Sequence, residues 1–261
     1  MSDNHDAVMS KLCFIYDSLV THSFNDFFCL FQWSEISAYL INLRNDPFKV
    51  HTSCYVVSRN VNNWLRTPFI EVGNAKSLYI EMVFTMRRCV KHSDPEKIQT
   101  CRETFNLYAY EADWDSANNE MPTWDDFSYT LVDIIPAQQL GDSASDLKIN
   151  NVTKFVPLRK GLRGIYFAFQ DTGACVSIVT VKVYYKKCPQ TTQGYAFFSD
   201  TPTGMEQTSN VEKEGVCVAH STQVSRPLYY CTSDGTWDIP LGKCQCDPGY
   251  EGLDNQKCTG M

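Results

Sequence analysis

The chain has 261 residues, 43% of them hydrophobic, and a net charge of −7. That length accommodates one large domain and a small one. The acidic balance, with no lysine/arginine cluster, excludes a nucleic-acid backbone as the main partner. No run approaches the roughly 18 apolar residues of a membrane-spanning helix.

Residues 1–32 show no clean period and stay unassigned. "KLCFIYDSLV" is interrupted at Asp17 and "FNDFFCLF" at Asp26, so no leader with a small-residue cleavage site is read there. Twelve cysteines, at 13, 29, 54, 89, 101, 175, 188, 217, 231, 244, 246 and 258, point the other way, to an oxidising compartment. An incomplete or alternative start is therefore expected. No pair has C-x-x-C spacing, which leaves zinc ribbons and thioredoxin-type redox sites without support.

From about residue 48 to 188 short strands repeat. In "KSLYIEMVFTMRRC" Leu78, Ile80, Met82 and Phe84 share one side, and Tyr79, Glu81, Val83 and Thr85 the other. "ETFNLYAYEAD" and "FSYTLVDIIP" are further runs, the latter ended by Pro136. "GIYFAFQD" and "ACVSIVTVKVYYKKC" follow, separated by "DTG", a hairpin turn signal. Strands at this spacing favour an all-β fold, a sandwich or jelly roll. Two long polar loops, 113–126 with Trp114 and Trp124, and 137–146, are either binding loops or plain connections. After Pro189 the composition turns rich in Thr, Gly and Ser, and cysteine-stapled modules begin.

Catalysis finds no support. The histidines at 5, 22, 51, 92 and 220 are scattered, and no G-x-S-x-G, H-E-x-x-H or phosphate-cradling glycine loop occurs. The sequence calls for no cofactor or metal. Asn151-Val152-Thr153 is an N-glycosylation sequon.

Several stretches carry a resemblance. "WSEISAY" (33–39), "NNWLRTPFI" (62–70), "YIEMVFTMRRC" (79–89), "CRETFNLYAYEAD" (101–113) and "GIYFAFQDTGACVSIVTVKVYYKKCP" (164–189) resemble the ligand-binding domain of the Eph receptors, most closely the B type. "YYC", "DGTW" and the cysteines at 188, 217, 231 and 244 resemble a sushi module, and "CDPGYEGLDNQKC" the start of an EGF-like module. The resemblance implies a jelly-roll domain over 33–187 whose N-terminal strands lack a match, a sushi-like module over 188–244, and a partial EGF-like module over 245–261. It implies the bridges Cys54–Cys175, Cys89–Cys101, Cys188–Cys231, Cys217–Cys244 and Cys246–Cys258, with Trp237 packed between the sushi pair. Cys13 and Cys29 have no counterpart in it.

By the same resemblance the partner is an ephrin, a membrane-anchored protein of a neighbouring cell, with receptor–receptor clustering as a further contact. The place of action is the outer side of the plasma membrane, and the kinase of a full receptor has no motif here. An ephrin loop would enter a channel involving Thr52, Cys54, Cys175, Ser177, Val179, Thr85, Arg87 and Phe155, walled by 112–124 with Trp124 at its end. Arg87 is the expected partner of an acidic ligand residue. Thr153 stands where the family commonly has arginine, and a glycan on Asn151 would lie near the channel. Two rival readings are a carbohydrate-binding jelly roll using Trp114 and Trp124, and a fragment that binds nothing.

Overall fold

The computed structural model describes residues 33–38, 48–54, 56, 60–89, 101–143 and 146–260. Cys13 and Cys29 lie outside them. Ten strands form the larger unit: β1 (Ser34–Ala38), β2 (Phe48–Cys54), β3 (Asn63–Arg66), β4 (Ile70–Glu71), β5 (Ser77–Met86), β6 (Thr104–Ala112), β7 (Thr130–Pro136), β8 (Ile149–Pro157), β9 (Gly164–Asp171) and β10 (Cys175–Tyr184). They make two antiparallel sheets. The first has the order β1-β2-β10-β5-β8; the second runs β3-β9-β6-β7, with β4 also on β9. The described residues are all-β, consistent with a jelly roll. Among the described residues no helix is long and apolar enough to cross a membrane.

Alternation decides what each strand buries. Leu78, Ile80, Met82, Phe84 and Met86 of β5 face inward and are fully buried. They meet Phe105 and Leu107 of β6 and Phe167 and Phe169 of β9 in one core. Phe84 and Phe105 touch edge-on across the sandwich, 5.0 Å between ring centres. Each such side chain stabilises the fold by about 1.5–3 kcal/mol relative to exposure.

The "DTG" stretch is not a hairpin. β9 belongs to the second sheet and β10 to the first, and they do not pair. The turn carries the chain across the thickness of the sandwich. Asp171 makes this corner: its Oδ1 accepts from the Gly173 and Ala174 amides (2.8 and 2.6 Å), and its Oδ2 from Ser53 Oγ (2.7 Å) and Asn63 Nδ2 (3.0 Å). Ser53 lies on β2 and Asn63 on β3, so one buried carboxylate ties both sheets to the turn.

The edge strands β7 and β8 meet at a seam. Lys154 points inward from β8 and pairs with Asp133 of β7. The Lys154 ammonium holds the Asp133 carboxyl below its usual range. A carboxyl depressed in the folded state stabilises above its unfolded pKa and loses that contribution as pH falls through the folded value. Both groups are partly exposed, so the expected loss below pH ~4 is under about 1 kcal/mol. Asp133→Asn should remove that acid-sensitive component. Unfolding midpoints of both proteins at neutral and acid pH check this, and identical acid sensitivity would count against it.

Beyond the sandwich, β11 (Lys187–Cys188), β12 (Thr191–Gln193), β13 (Ala196–Phe198), β14 (Thr201–Pro202), β15 (Val211–Glu214), β16 (Val216–Cys217), β17 (Ser221–Cys231), β18 (Leu241–Cys246), β19 (Tyr250–Leu253) and β20 (Lys257–Gly260) form small sheets. Bridges Cys188–Cys231, Cys217–Cys244 and Cys246–Cys258 staple them. Trp237 stacks on Tyr229 at 4.8 Å, and its Nε1–H donates to the Pro189 carbonyl at 2.6 Å. It packs against Phe198 in the small core that holds Cys244.

Candidate functional site

The site is built on the outer face of the first sheet, at the end where β2 meets β10. Cys54 stands opposite Cys175 in the strand register and is bonded to it. The period of two then sorts their neighbours. Ser53, Val176 and Ile178 turn into the sandwich; Thr52, Cys54, Cys175 and Ser177 turn out. Cys54 is exposed, and Thr52, Cys175 and Ser177 are half-buried. Ser177 Oγ donates to Thr52 Oγ1 (2.9 Å), which donates to the Val176 carbonyl (3.2 Å). These hydroxyls satisfy each other, so the row presents carbon and sulfur more than free polar groups.

The row continues onto β5 and β8. Ser177 faces Thr85, and Thr85 faces Ile149. Thr85 shares the outward orientation but is buried, so it lies beneath the surface. Ile149 is 38% exposed and carries the apolar surface outward.

Val179 departs from the simple alternation. The β10–β5 register runs Ile178 to Phe84 and then Thr180 to Val83, so Val179 is the extra residue of a bulge. Val179 and Thr180 both lie outside the core, and Val181 resumes the inner face.

Arg87 follows β5 and is exposed. Its backbone N–H donates to the Cys175 carbonyl (2.9 Å), fixing it beside the bridge. The 137–146 loop clamps this point: the Gly141 amide donates to the Met86 carbonyl (2.9 Å) and the Arg88 amide to the Gly141 carbonyl (2.8 Å). A Cβ at Gly141 would stand 2.0 Å from the Asp146 carbonyl oxygen, so only glycine allows this close approach. Arg88 pairs with Asp142 and Lys148 with Asp146, both at 2.7 Å. The Lys148 ammonium, with the Asp142 amide, holds the Asp146 carboxyl below its ordinary value. Among the described residues Arg87 has no side-chain partner, so its guanidinium is open to a ligand. Just beyond it, Cys89 is bonded to Cys101.

Two expected site residues stand elsewhere. Phe155 pairs with Tyr79 near the opposite end of β8, in contact with its ring at 5.3 Å. It is six positions from Ile149, about 20 Å along the strand. Trp124 is on the other side of the sandwich. It packs over the outer face of the second sheet with Trp64, Tyr108 and Tyr129. The Arg66 guanidinium covers its ring at 4.6 Å, and its Nε1–H donates to the Asn119 carbonyl. The 113–126 loop folds back onto that sheet, held by Arg66 to the Asn118 carbonyl and by Tyr166 to Asp115. It therefore does not wall the Cys54–Cys175 row; the 137–146 loop, which the sequence leaves as either a binding loop or a plain connection, borders it. Ile149 and Gly141 were missed because only the strand register brings them to the row.

The arrangement offers an apolar and sulfur-bearing strip, a bordering loop and the exposed Arg87 guanidinium. Among the described residues no group of histidine, cysteine and carboxylate side chains is placed to hold a metal ion.

The family model of the ephrin receptor ligand binding domain matches residues 16–188, and that of the ephrin cysteine rich domain matches residues 189–246. The chain belongs to the Eph receptor family. Its similarity to individual Eph receptors is even. It is 41% identical to ephrin type-B receptor 3 of Xenopus laevis over 86% of this chain and 23% of that protein. It is 40% identical to ephrin type-B receptor 2 of Gallus gallus over 85% and 22%, and 40% identical to ephrin type-A receptor 7 of Gallus gallus over 84% and 22%. The chain thus spans less than a quarter of the length of these Eph receptors. The ligand-binding match begins at residue 16, upstream of the point at which the sequence motifs set in. The two matched segments are the ligand-binding and the cysteine-rich segments of Eph receptors.

Proposed function

We propose that this chain is the ephrin-binding, extracellular part of an Eph receptor, and that it takes an ephrin loop on the outer face of the first sheet beside the Cys54–Cys175 bridge. In this reading residues 33–187 bind the ligand, and the sushi-like (188–244) and partial EGF-like (245–261) modules follow it toward the rest of a longer receptor. Capture of an ephrin on an adjoining cell would then carry a contact-dependent signal through that receptor. The observation that supports this most is the half-exposed row of Thr52, Cys175, Ser177 and Val179 inside the ligand-binding match, with Arg87 beside it and unpaired among the described residues. An apolar strip with the exposed Arg87 guanidinium beside it suits a loop that brings apolar side chains and a carboxylate.

Arg87→Glu tests it. Capture of immobilised ephrin ectodomains should weaken at least tenfold, about 1.4 kcal/mol. The thermal midpoint should hold, because an exposed side chain without a partner contributes little to folding. Equal capture by the variant would remove Arg87 from the site. The carbohydrate reading is weakened at one of its two aromatics, since the Arg66 guanidinium already covers the Trp124 ring and Tyr129 packs beside it. Sugar-specific retention on a glycan array, without ephrin capture, would favour that reading instead.

A further inference from the structure

We propose that Asn151 carries an N-linked glycan that stands on the rim of the candidate binding face and limits access of protein ligands to it. The inference rests in part on the ephrin-binding reading, because it assigns a regulator to that same face. Asn151-Val152-Thr153 is the only sequon in the 261 residues. Its placement on β8 is what gives it consequence. Alternation turns Asn151 and Thr153 outward, both exposed, and turns Val152 inward against the core. The recognised side chains are on the solvent side, and the bystander residue is the one the fold buries. Among the described residues β8 is the last strand of its sheet, and none of them pairs along its far side. Among the described residues the Asn151 side-chain amide makes one hydrogen bond, a long one to Glu81 at 3.4 Å. The strand therefore accommodates a large substituent at this nitrogen without breaking a core contact.

The register then fixes what the substituent covers. Asn151 faces Val83, and Val83 faces the Val179–Thr180 bulge. This file lies next to the Ser177–Thr85–Ile149 file. Two strand spacings separate Asn151 from β10, about 10 Å, and two residues separate it from Ile149, about 7 Å. A bulky, hydrophilic group rooted there rises from the same face as the proposed ephrin row.

The modification is a group transfer. The Asn151 Nδ2 attacks C1 of the first sugar of a lipid-linked oligosaccharyl pyrophosphate. The N–C1 bond forms as the C1–O bond breaks, the lipid pyrophosphate leaves with the bonding pair, and one amide proton passes to the transferase.

The test uses the whole chain secreted from glycosylating cells, alongside Asn151→Gln, Thr153→Ala and the wild-type protein deglycosylated enzymatically after folding. Deglycosylation in heavy-oxygen water should convert Asn151 to labelled aspartate, and both variants should lack the glycan mass. Hydroxyl-radical footprinting of Val83 and Val179 should rise when the glycan is absent. Ephrin capture should strengthen about tenfold in all three glycan-free forms. An unmodified Asn151 peptide, unchanged footprints, or ephrin captured equally with and without the glycan would overturn the proposal. If no form captures ephrin but the footprints differ, the glycan shield stands and the ephrin reading fails.

Discussion

Replacing Asp171 by alanine is expected to lower the unfolding free energy by about 3–5 kcal/mol. The carboxylate is fully buried and accepts four hydrogen bonds, from Ser53 Oγ, Asn63 Nδ2 and the amides of Gly173 and Ala174. All four donor residues are themselves buried. Removing the acceptor strands the Ser53 hydroxyl and the Gly173 and Ala174 amides away from water, at about 1–3 kcal/mol apiece if nothing rearranges, while Asn63 Nδ2 keeps its bond to Ser53 Oγ at 3.0 Å. Neighbours in one network relax together, so the total falls below that sum. Asp171→Asn keeps an acceptor oxygen for the turn amides but sets an NH2 against the Asn63 amide, and it should lose roughly half as much. Denaturant titrations with the bridges intact give both values. The effect should also reach the candidate site. Asp171 fixes Ser53 and Ala174, the residues next to Cys54 and Cys175, so its loss lets the two strands at the bridge drift apart. A midpoint for Asp171→Ala equal to that of the parent would show that the corner is held by something else.

Asp171 also marks where the sequence stops being informative. "DTG" announces a reversal of the chain, and there is one. Whether a reversal pairs its flanking strands or hands the chain to another sheet depends on long-range partners. β9 pairs with β6 and β3, while β10 pairs with β2 and β5. Periodicity in "KSLYIEMVFTMRR" did separate the inner from the outer side chains of β5, because that strand alternates without interruption. In "ACVSIVTVKVYY" the apolar phase slips by one between Ile178 and Val181. That slip is the bulge that leaves both Val179 and Thr180 outside the core. Period also tells which residues share a face, never which of two sheets the face belongs to. Phe155 and Ile149 lie on one outward file of β8 yet sit at different ends of it. The resemblance makes Trp124 a wall of the channel, but Trp64, Tyr108 and Tyr129 draw its loop to the far sheet. An aromatic patch assembled from three separate strands and loops leaves no local mark in the chain.

The second large effect concerns the bridge at the centre of the site. Cys54→Ser combined with Cys175→Ser should reduce stability by about 5 kcal/mol, since the bond spans 121 residues and most of its contribution is the closed loop it imposes on the unfolded chain. The matched double change at Cys89 and Cys101 spans 12 residues and should lose about 3 kcal/mol. A domain is typically stable by only about 5–15 kcal/mol, so the first variant is expected at the edge of folding and the second clearly folded. The two differ in binding as well. Cys54 and Cys175 present their sulfurs on the outward row, and their bond holds β2 against β10, where Ser177 reaches Thr52. Cys89 and Cys101 lie beyond Arg87, past the end of β5. Below the melting temperature of both variants, ephrin capture should therefore fall more in the Cys54/Cys175 pair than in the Cys89/Cys101 pair. Equal midpoints for the two variants would overturn the loop-entropy account. A folded Cys54/Cys175 variant that captures ephrin as the parent does would move the ligand away from this row altogether.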